Sequence, residues 1–459
     1  MSITTDERIA RSRTRDRVPQ ATLLDTILTL VRVLLPLLGR GLIVRRPPVV
    51  ALAERIDLDR RGVRQMQRLR ERYGDGPLRL KIPFRRVALI LDADHVHRVL
   101  QESPEMFSAA SLEKQHALGH FQPKGVLVSE GPERADRRRF NEAVLDTPEP
   151  VHREADALIA KVREEAADIV AEAQRAGQLS WDVFVPGWFR MVRRVTFGDA
   201  AREDHELTDM LGELRAHANW AFLRPKERDL RERFLGRIAD HLDRAEPGSL
   251  AEVMARVPTT EVTEPHQQVP QWLFAFDPAG IAMFRALALI SAHPSHARQV
   301  REELAARDLT APQDYPLLRA SVLESLRLWP TTPGILRDTM TPTTWERGHL
   351  DAGTALIIYA PFFHRDDRRL PEADRFAPDL WSRPRTTDDW PLVPFSEGPV
   401  VCPGQNLVLL LTSTMLASLL EDRDYRLLPS DRLDPAAPLP SILDPFGLRF
   451  GLVSRPTGG

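Results

Sequence analysis

Apolar side chains recur at every third or fourth position over most of the chain, which is the spacing of one helix face. This pattern predicts a helix over Asp59–Tyr73, which the Gly-Asp-Gly at 74–76 ends, and a last apolar helix over Gly404–Leu420. Further helices are predicted over His95–Glu102, Glu133–Leu145, Val151–Ala176, Ser180–Phe197, His205–His217, Pro225–Ala245, Gln271–Ala292 and His296–Ala306. Strand patterns are predicted over Leu78–Ile82, Val87–Leu91 and Ala355–Tyr359. We therefore expect a single large, mainly α domain with small β-sheets.

The N-terminal 48 residues differ in pattern from the rest. Residues 1–20 are polar and rich in arginine, and they lack the apolar core and cleavage site of a secretory signal. The apolar stretch Leu23–Val44 falls short of the roughly 20 clean residues of a spanning helix, because it is interrupted by Asp25, Arg32, Pro36 and Arg40. An amphipathic helix within residues 21–44, lying on the protein or on a membrane surface, fits better. We expect an extension over residues 1–48 and the main domain over residues 49–459.

The composition mainly excludes classes of protein and kinds of site. Hydrophobic residues make up 42% of the chain and charged residues 28%, which disfavours wholesale disorder and a polytopic membrane protein. The net charge of −2 supplies no cationic field for nucleic acid. The single cysteine, Cys402, excludes an intrachain disulfide and a multi-cysteine zinc site, and it fits a reducing compartment such as the cytoplasm.

Cys402 lies in a loop rich in glycine and proline, directly before the last predicted helix. A sulfur just ahead of a helix N-terminus receives amide donors and the positive end of the helix dipole, and both favour the thiolate. Thiolates bind iron. The alternative for a lone cysteine is a buried side chain that packs as a small hydrophobic residue.

The loop pattern FxxGxxxCxG, formed by Phe395, Gly398, Cys402 and Gly404, resembles the haem-binding loop of the cytochrome P450 superfamily. Other motifs follow that family in order, so the resemblance covers residues 50–455 and suggests a divergent, bacterial-type member. It implies a cytochrome P450-like haem domain over residues 49–459. Haem b is then buried between a long overhead helix and the cysteine loop, with the Cys402 thiolate as the axial ligand of its iron.

Two further motifs match the same family. Glu324 and Arg327 form its ExxR, which places a carboxylate and a guanidinium on one helix face and is expected to be a buried structural pair. Arg134 and Arg138 lie on the predicted helix that meets the haem propionates in the family, and Arg337 occupies the strand position that usually contacts the second propionate. Bidentate pairing of guanidinium with carboxylate supports these roles, whereas for each arginine alone the alternative is a solvated surface position.

The chain departs from the family in the helix expected over the haem. Asp277 stands where the family has an acid, but Pro278 stands where it has a threonine, so the alcohol of the usual proton relay is missing. Proline also frees the carbonyl of Phe274 and bends the helix; the alternative is that the Asp-Pro pair only kinks a packed helix. Val400 replaces a usual propionate partner, and Leu380 replaces the arginine that joins Glu and Arg in a three-member network.

The resemblance implies an oxidoreductase, namely a haem-thiolate monooxygenase that uses dioxygen to oxidise an apolar small molecule, for example in secondary metabolism. Because the chain shows no Rossmann fingerprint or flavin domain, its electrons are expected from a separate ferredoxin-type partner that docks on a basic surface near Cys402. Pro278 leaves a peroxide-driven or rearranging haem-thiolate enzyme open, and a haem-binding sensor without turnover is the third alternative. Pocket-lining residues are expected from the loop His116–Val126, from Trp220–Leu223, and from Leu273, Phe274 and Phe276.

Overall fold

Helices form most of the chain, as the apolar periodicity predicts. The computed structural model describes residues 17–41, 43–220 and 224–455. A π-helical turn, Leu30–Leu34, joins the first two helices into one continuous segment. The N-terminal helices are α1 (Leu23–Thr29), α2 (Leu35–Arg40), α3 (Pro47–Arg55), α4 (Leu58–Tyr73), α5 (Ala93–Gln101) and α6 (Leu112–Leu118).

The central and C-terminal helices build the body of the domain. The central ones are α7 (Gly131–Leu145), α8 (Ala155–Ala176), α9 (Trp181–Phe197), α10 (His205–Ala218), α11 (Arg228–Arg244) and α12 (Leu250–Arg256). The later ones are α13 (Val269–Ala292), α14 (Pro294–Ala305), α15 (Pro316–Leu328), α16 (Ala360–His364) and α17 (Gln405–Leu420).

Most predicted helix bounds agree with the structure to within about three residues, and the larger differences have local causes. Helix α8 begins at Ala155 rather than Val151, because His152 turns back to contact the carbonyl of Val144 at 3.0 Å. Ser180 lies in a strand, and its hydroxyl accepts a hydrogen bond from Val183 N–H, so it caps α9 instead of belonging to it.

The described residues form three small sheets beside the helices. Their strands are β1 (Leu78–Arg79), β2 (Val87–Leu89), β3 (Phe107–Ser108), β4 (Leu179–Ser180), β5 (Gly334–Thr339), β6 (Thr343–Trp345), β7 (Gly348–Leu350), β8 (Ala355–Tyr359), β9 (Arg423–Leu428) and β10 (Arg449–Ser454). The largest sheet has the order β1-β2-β8-β5-β3, in which only β2 and β8 run parallel. The others have the orders β4-β10-β9 and β6-β7.

The main hydrophobic core surrounds α13. This helix is apolar on nearly all sides, and it packs against α9, α15 and α17. Within the described residues, the segment Pro265–Ala292, which contains α13, is the one helix long and apolar enough to cross a membrane, and 78% of its most apolar window is buried inside the protein. A second core lies on the five-stranded sheet.

The helical segment of α1 and α2 lies on the protein, with Val33 and Leu37 buried and six other apolar side chains exposed. Thr26 and Thr29 are fully buried, and Asp25 accepts a hydrogen bond of 2.6 Å from the hydroxyl of Tyr73 on α4. Arg40 forms a paired contact of 2.8 Å with Asp59, also on α4. The exposed side chains along the opposite face are Leu23, Leu24, Ile27, Val31, Leu35 and Leu38; we call this set the leucine stripe.

Candidate active site

The loop before α17 holds Cys402 in a fixed turn. A short 3-10 turn, Gly398–Val400, precedes the cysteine, and the Cys402 amide donates to the carbonyl of Phe395 at 2.9 Å. Gly398 has a φ of +70°, and a Cβ there would lie 2.4 Å from the carbonyl oxygen of Leu100. Only glycine fits this position, because any side chain would clash with α5. Steric exclusion of any side chain therefore explains why the predicted loop motif has a glycine at 398.

Gly404 has a different role from Gly398. It lies at the start of α17 with a φ of −93°, and a Cβ there would meet only a methyl carbon of Leu145 at 3.8 Å, an ordinary contact. The protein itself does not demand glycine at this position. Gly404 lines the cavity described below, as Phe395 does, so any requirement for glycine comes from what fills that cavity.

Burial raises the pKa of the Cys402 thiol above its usual value, although the Gly404 amide and the charge of Arg138 act in the opposite direction. The amide and charge effects expected from sequence are therefore present at the sulfur, and desolvation opposes them. A metal ion held by the sulfur would reverse this balance, since a coordinating thiol is deprotonated.

One cavity joins the cysteine loop to α13. Cys402 and Val400 line it from the loop side, and α13 lines it with residues from Gln271 to Ala282. Phe274 and Phe276 contribute to the lining as expected, and Val126 does so from the loop after α6. The cavity therefore lies between the sole thiol and the long helix.

Other pocket predictions need correction or lie outside the description. Leu273 is fully buried in the main core instead of the cavity wall, because it points away from Phe274 on the helix. His116 is exposed at the surface. Trp220 is about half exposed at 49%, and residues 221–223 of the same predicted segment lie outside the described residues.

Three cations meet at one side of the cavity: Arg134, Arg337 and Lys114. In the described part of the chain none of them has a carboxylate within 4 Å, and Nε of Arg134 has no hydrogen-bond partner. Burial and the charge of Arg134 lower the pKa of Arg337 to about 10. Burial, with the charge of Arg337, lowers the pKa of Lys114 well below its usual value. Such a cluster is costly unless an anion joins it.

Arg138 is the fourth cation of this wall, and it holds the cysteine loop. Its Nη1 donates to the carbonyl of Val401 at 2.6 Å, and its Nε contacts Glu142 at 2.5 Å. The propionate role expected for Arg138 thus accompanies a direct tether to the residue before Cys402. Lys114 was missed by the sequence analysis, because nothing in the polar pattern of α6 distinguishes it from a surface lysine.

Glu324 and Arg327 form a fully buried pair on α15, with Nε to Oε2 at 2.6 Å. Arg327 also donates to the carbonyl of Arg375 at 2.7 Å. Glu324 accepts from the amide of Ala377 at 2.7 Å and from the indole of Trp381 at 3.0 Å. Trp381 is thus a third donor to Glu324, next to Leu380, where the family has an arginine. The sequence clue to this donor was that an aromatic residue with an N–H group follows Leu380.

Asp277 is held in an ion pair over the cavity. Its Oδ2 lies 2.6 Å from Nη2 of Arg215 on α10, and the guanidinium of Arg215 stacks 5.0 Å above the ring of Phe274. The acid expected from sequence therefore links α13 to α10. Arg215 was not identified from sequence, because the partner lies 62 residues away in the chain.

The helix α13 continues through Pro278. Two residues before Pro278, the carbonyl of Phe276 accepts a hydrogen bond of 2.9 Å from the indole of Trp188 on α9. Gly280 permits this approach, because a Cβ there would lie 2.8 Å from the indole nitrogen. The α13 residues that line the cavity, all of them described, include no hydroxyl side chain. The missing alcohol is thus not replaced on this helix.

The donor set fits a haem. A soft sulfur ligand lies on one wall of the cavity, and an apolar helix lies across it. The unpaired cations Arg134, Arg337 and Lys114 are opposite in charge to the two carboxylates of the porphyrin propionates and outnumber them by one. In such a site Cys402 would hold the iron, and the four cations of the wall would hold the propionates.

Comparisons with known proteins agree with this geometry. A model of the Cytochrome P450 family matches residues 45–223 and 267–445. The chain is 27% identical over 201 residues to Probable cytochrome P450 4s3 of Drosophila melanogaster, which covers 43% of this chain and 40% of that protein. It is 30% identical over 173 residues to Cyclooctat-9-en-7-ol 5-monooxygenase of Streptomyces melanosporofaciens, covering 34% of this chain and 38% of that protein. These matches span about two fifths of the curated relatives.

Solved structures share the fold. Retinoic acid bound cyanobacterial CYP120A1 superposes with a TM-score of 0.68 at 18% identity, covering 85% of this chain and 94% of that one. The cytochrome P450 CYP102L1 superposes with a TM-score of 0.67 at 19% identity, covering 86% and 94%. The fold and site define a cytochrome P450-type haem protein. With the family model matched over most of its length, the chain belongs to the cytochrome P450 family.

Proposed function

We propose that the protein is a haem-thiolate monooxygenase that oxidises an apolar small molecule with dioxygen and two electrons from a separate donor. The observation that carries this proposal is the shared cavity of Cys402 and the unpaired cations Arg134 and Arg337 beneath α13. The Streptomyces relative carries a monooxygenase name, which supports an oxidation in secondary metabolism.

Each part of the site has a defined task in this proposal. Haem b is the cofactor, and a thiolate-ligated haem iron supplies the dioxygen activation needed to oxidise unactivated C–H bonds. Cys402 holds the iron, while Arg134, Arg138 and Arg337 hold the propionates. Phe395 and Gly398 shape the loop around the sulfur, and Gly404 lines the cavity. The apolar wall of the cavity binds the substrate and excludes water.

Asp277 is the proton-holding group nearest to the substrate side of α13. Its ion pair with Arg215 fixes the position of the carboxylate. Because Pro278 donates no proton, protons must pass through Asp277 and ordered water, with the free carbonyl of Phe274 as a further acceptor.

The test of the proposal is spectroscopic. The purified chain, supplied with haem, is reduced and treated with carbon monoxide, and the long-wavelength Soret band of a thiolate-ligated haem is expected. Cys402→Ala must lose that band, whereas Met340→Ala, at an exposed side chain away from the cavity, must keep it. A wild-type protein that takes up no haem, or a Cys402→Ala variant with an unchanged spectrum, would overturn the proposal.

A second candidate function is favoured by Pro278. Without the usual alcohol, hydrogen peroxide or a substrate that already contains an O–O or N–O bond supplies the oxygen. Turnover on peroxide alone, faster than turnover on dioxygen with reduced ferredoxin, would select this function. A spectral response to ligands without product from either oxidant supply would select the third alternative, a haem-binding sensor.

We propose a ferredoxin-type electron donor that docks on the face next to the cysteine loop. The groove there carries charges of both signs, including Arg383 and Arg385 but also Asp314, Asp379 and Glu397. This groove is therefore mixed in charge, whereas the sequence analysis expects a basic docking surface near Cys402. The test is a salt titration of the reduction rate by a ferredoxin: an ionic contact slows as salt rises, and a rate independent of salt would argue against this site.

We propose that the leucine stripe rests on an anionic membrane surface of the cytoplasm, as an extension to the haem domain that begins at residue 49. The six side chains of the stripe are 46% to 63% exposed. Single exposed apolar residues are common on protein surfaces, but a row of six is typical of a binding surface. The adjacent helix α4 adds the exposed cations Arg61, Arg68 and Arg72, and cations beside an apolar face suit anionic lipid.

Vesicle flotation tests this contact with the haem-loaded chain. The protein is expected to float with vesicles of phosphatidylcholine and phosphatidylglycerol and less with phosphatidylcholine alone. Replacing Val31 and Leu35 by glutamate must abolish flotation, while Val262→Glu, at an apolar residue 37% exposed outside the stripe, must not. Equal flotation of both variants would refute the contact, as would a stable dimer of the wild type that the stripe variant loses.

A further inference from the structure

Arg45 is a cation of the same cavity that the haem assignment does not use. It lines the cavity with Ile43, Phe274 and Thr331. Its Nη1 donates to the carbonyl of Gly41 at 2.8 Å, and its Nη2 donates to the carbonyl of Thr331. In the described part of the chain it has no carboxylate within 4 Å. Three of its five N–H donors therefore remain for a ligand.

The acids nearest to Arg45 are already paired. Asp277 lies 2.6 Å from Arg215, and Asp59 lies 2.8 Å from Arg40. These three arginines thus share two carboxylates, and the positive charge of Arg45 has no counterpart. Burial, together with the charge of Arg40, lowers the pKa of Arg45 to about 10. An anionic ligand group would relieve this cost by supplying the missing charge.

The loop that carries Arg45 is held in place by helix α10 and the residue after it. Arg215 donates to the carbonyl of Ile43 at 2.9 Å. Asn219 accepts from the Ile43 amide at 3.0 Å and donates to the carbonyl of Val44 at 2.9 Å. Arg45 is therefore oriented before a ligand binds, which reduces the entropy lost on binding. The neighbouring Arg46 stacks on Trp220 instead, with 4.8 Å from its guanidinium to the ring centre.

Apart from Asp277, Thr331 and Thr332, much of the cavity wall is apolar, and it includes Val126, Leu127, Ile335 and Phe274. A ligand for such a site has one anionic end and a hydrocarbon body. We propose that the substrate is an apolar monocarboxylic acid, whose carboxylate binds the planar guanidinium of Arg45 and whose body extends toward Cys402. This inference rests on the proposed function, because it names the substrate class of the same site.

The test measures ligand affinity through the Soret shift of the haem-loaded protein. The probes are lauric acid, dehydroabietic acid and retinoic acid, each compared with its own methyl ester. For the wild type, at least one acid is expected to bind about 10- to 100-fold more tightly than its ester, the range typical of a charge-assisted contact. Arg45→Gln must remove this preference, and Arg45→Lys must retain part of it.

Arg46→Gln is the matched control, because Arg46 stacks outside the cavity, and it must keep the full acid preference. Acids that bind no better than their esters to the wild type would overturn the inference, and so would an unchanged preference in Arg45→Gln. The carbon monoxide spectrum of each protein separates this result from the proposed function: a normal thiolate band without acid preference refutes the substrate class alone. If Arg45→Gln does not fold, Arg45→Lys is compared with Arg46→Lys. The acid preference must then fall in Arg45→Lys and stay complete in Arg46→Lys.

Discussion

Trp381 donates its indole N–H to a carboxylate oxygen of Glu324 over 3.0 Å. Glu324 is fully buried, and it already pairs with Arg327. A neutral donor thus completes the network where an arginine at Leu380 is absent. The consequence is a buried pair with no excess charge, which needs no further anion in the core.

Trp381→Phe is expected to lower the free energy of unfolding by about 1–3 kcal/mol, because it leaves a buried carboxylate oxygen short of one donor. Urea unfolding of the haem-loaded protein, followed by helical circular dichroism, measures this change. Trp220→Phe is the control, since Trp220 is half exposed. Equal stability of the two variants would mean that the indole contact contributes nothing.

Pro278 is the second position with a measurable consequence. Pro278→Thr restores both an alcohol and a backbone N–H over the cavity, so protons reach the oxygen site by a shorter route. If dioxygen is the oxidant, the fraction of electrons recovered in product is expected to rise several-fold over the wild type, with less hydrogen peroxide released. Product and peroxide are quantified per electron supplied by reduced ferredoxin.

Pro278→Ala is the matched control for that experiment. It restores the N–H, and with it the helix hydrogen bond to Phe274, but it supplies no proton. The rise is expected in Pro278→Thr alone. If both variants improve equally, the backbone bend rather than the missing alcohol limits coupling; if neither changes, protons do not pass this position.

The cation wall predicts how firmly the haem is held. Arg134→Leu and Lys114→Met each remove one cation that we propose binds a propionate, while Cys402 stays in place. Each is expected to speed haem loss about 10-fold, as for the loss of one charge-assisted contact. The measurement is the rate of haem transfer to an excess of apomyoglobin, which needs no turnover.

Arg139→Leu is the control on the same helix, because Arg139 is exposed and pairs with Asp136 at 2.9 Å. It is expected to leave the transfer rate unchanged. A Lys114→Met protein that keeps its haem as well as the control would remove Lys114 from the propionate site.

The helices and the cysteine loop were predictable because both follow from local rules. Apolar periodicity indicates a helix whatever the helix packs against. At Gly398 the backbone conformation and the close contact with Leu100 allow only glycine. The order of the motifs then placed Glu324 and Arg327 in the interior. Asp277 was found because it stands where the overhead helix of the resembled family has an acid.

The partners of those residues were not predictable, because they arise from contacts distant in sequence. Arg215 reaches Asp277 from α10, and Lys114 enters the cavity from α6. The face of α1 that packs on the protein was also not predictable. Its apolar residues indicated an amphipathic helix, but the hydrogen bond from Tyr73 to Asp25 places the polar face inward. A single sequence gives the period of a face and not the side on which it packs.

His97 and Glu397 give a pH dependence, because they join α5 to the cysteine loop with Nδ1 to Oε1 at 2.9 Å. The hydrogen bond to Glu397 raises the pKa of His97 above 6.5, although burial opposes it. Burial acts to raise the pKa of Glu397, but the hydrogen bonds from His97 and Gln101 outweigh it and lower that pKa below 4.5. The pair therefore stabilises the fold in full between these two ordinary values.

The raised pKa of His97 and the lowered pKa of Glu397 determine how the stability of the fold changes with pH. As pH rises through the raised pKa of His97 the charge is lost and the stabilisation fades; as pH falls through the lowered pKa of Glu397 it fades again. The melting temperature of the wild type is thus expected to exceed that of His97→Asn most near about pH 6, with a smaller difference near about pH 9. Gln101→Ala removes a neutral donor to the same carboxylate, so its effect must not change between those two values. A His97→Asn difference that is equally constant would show that the pair contributes no charge interaction.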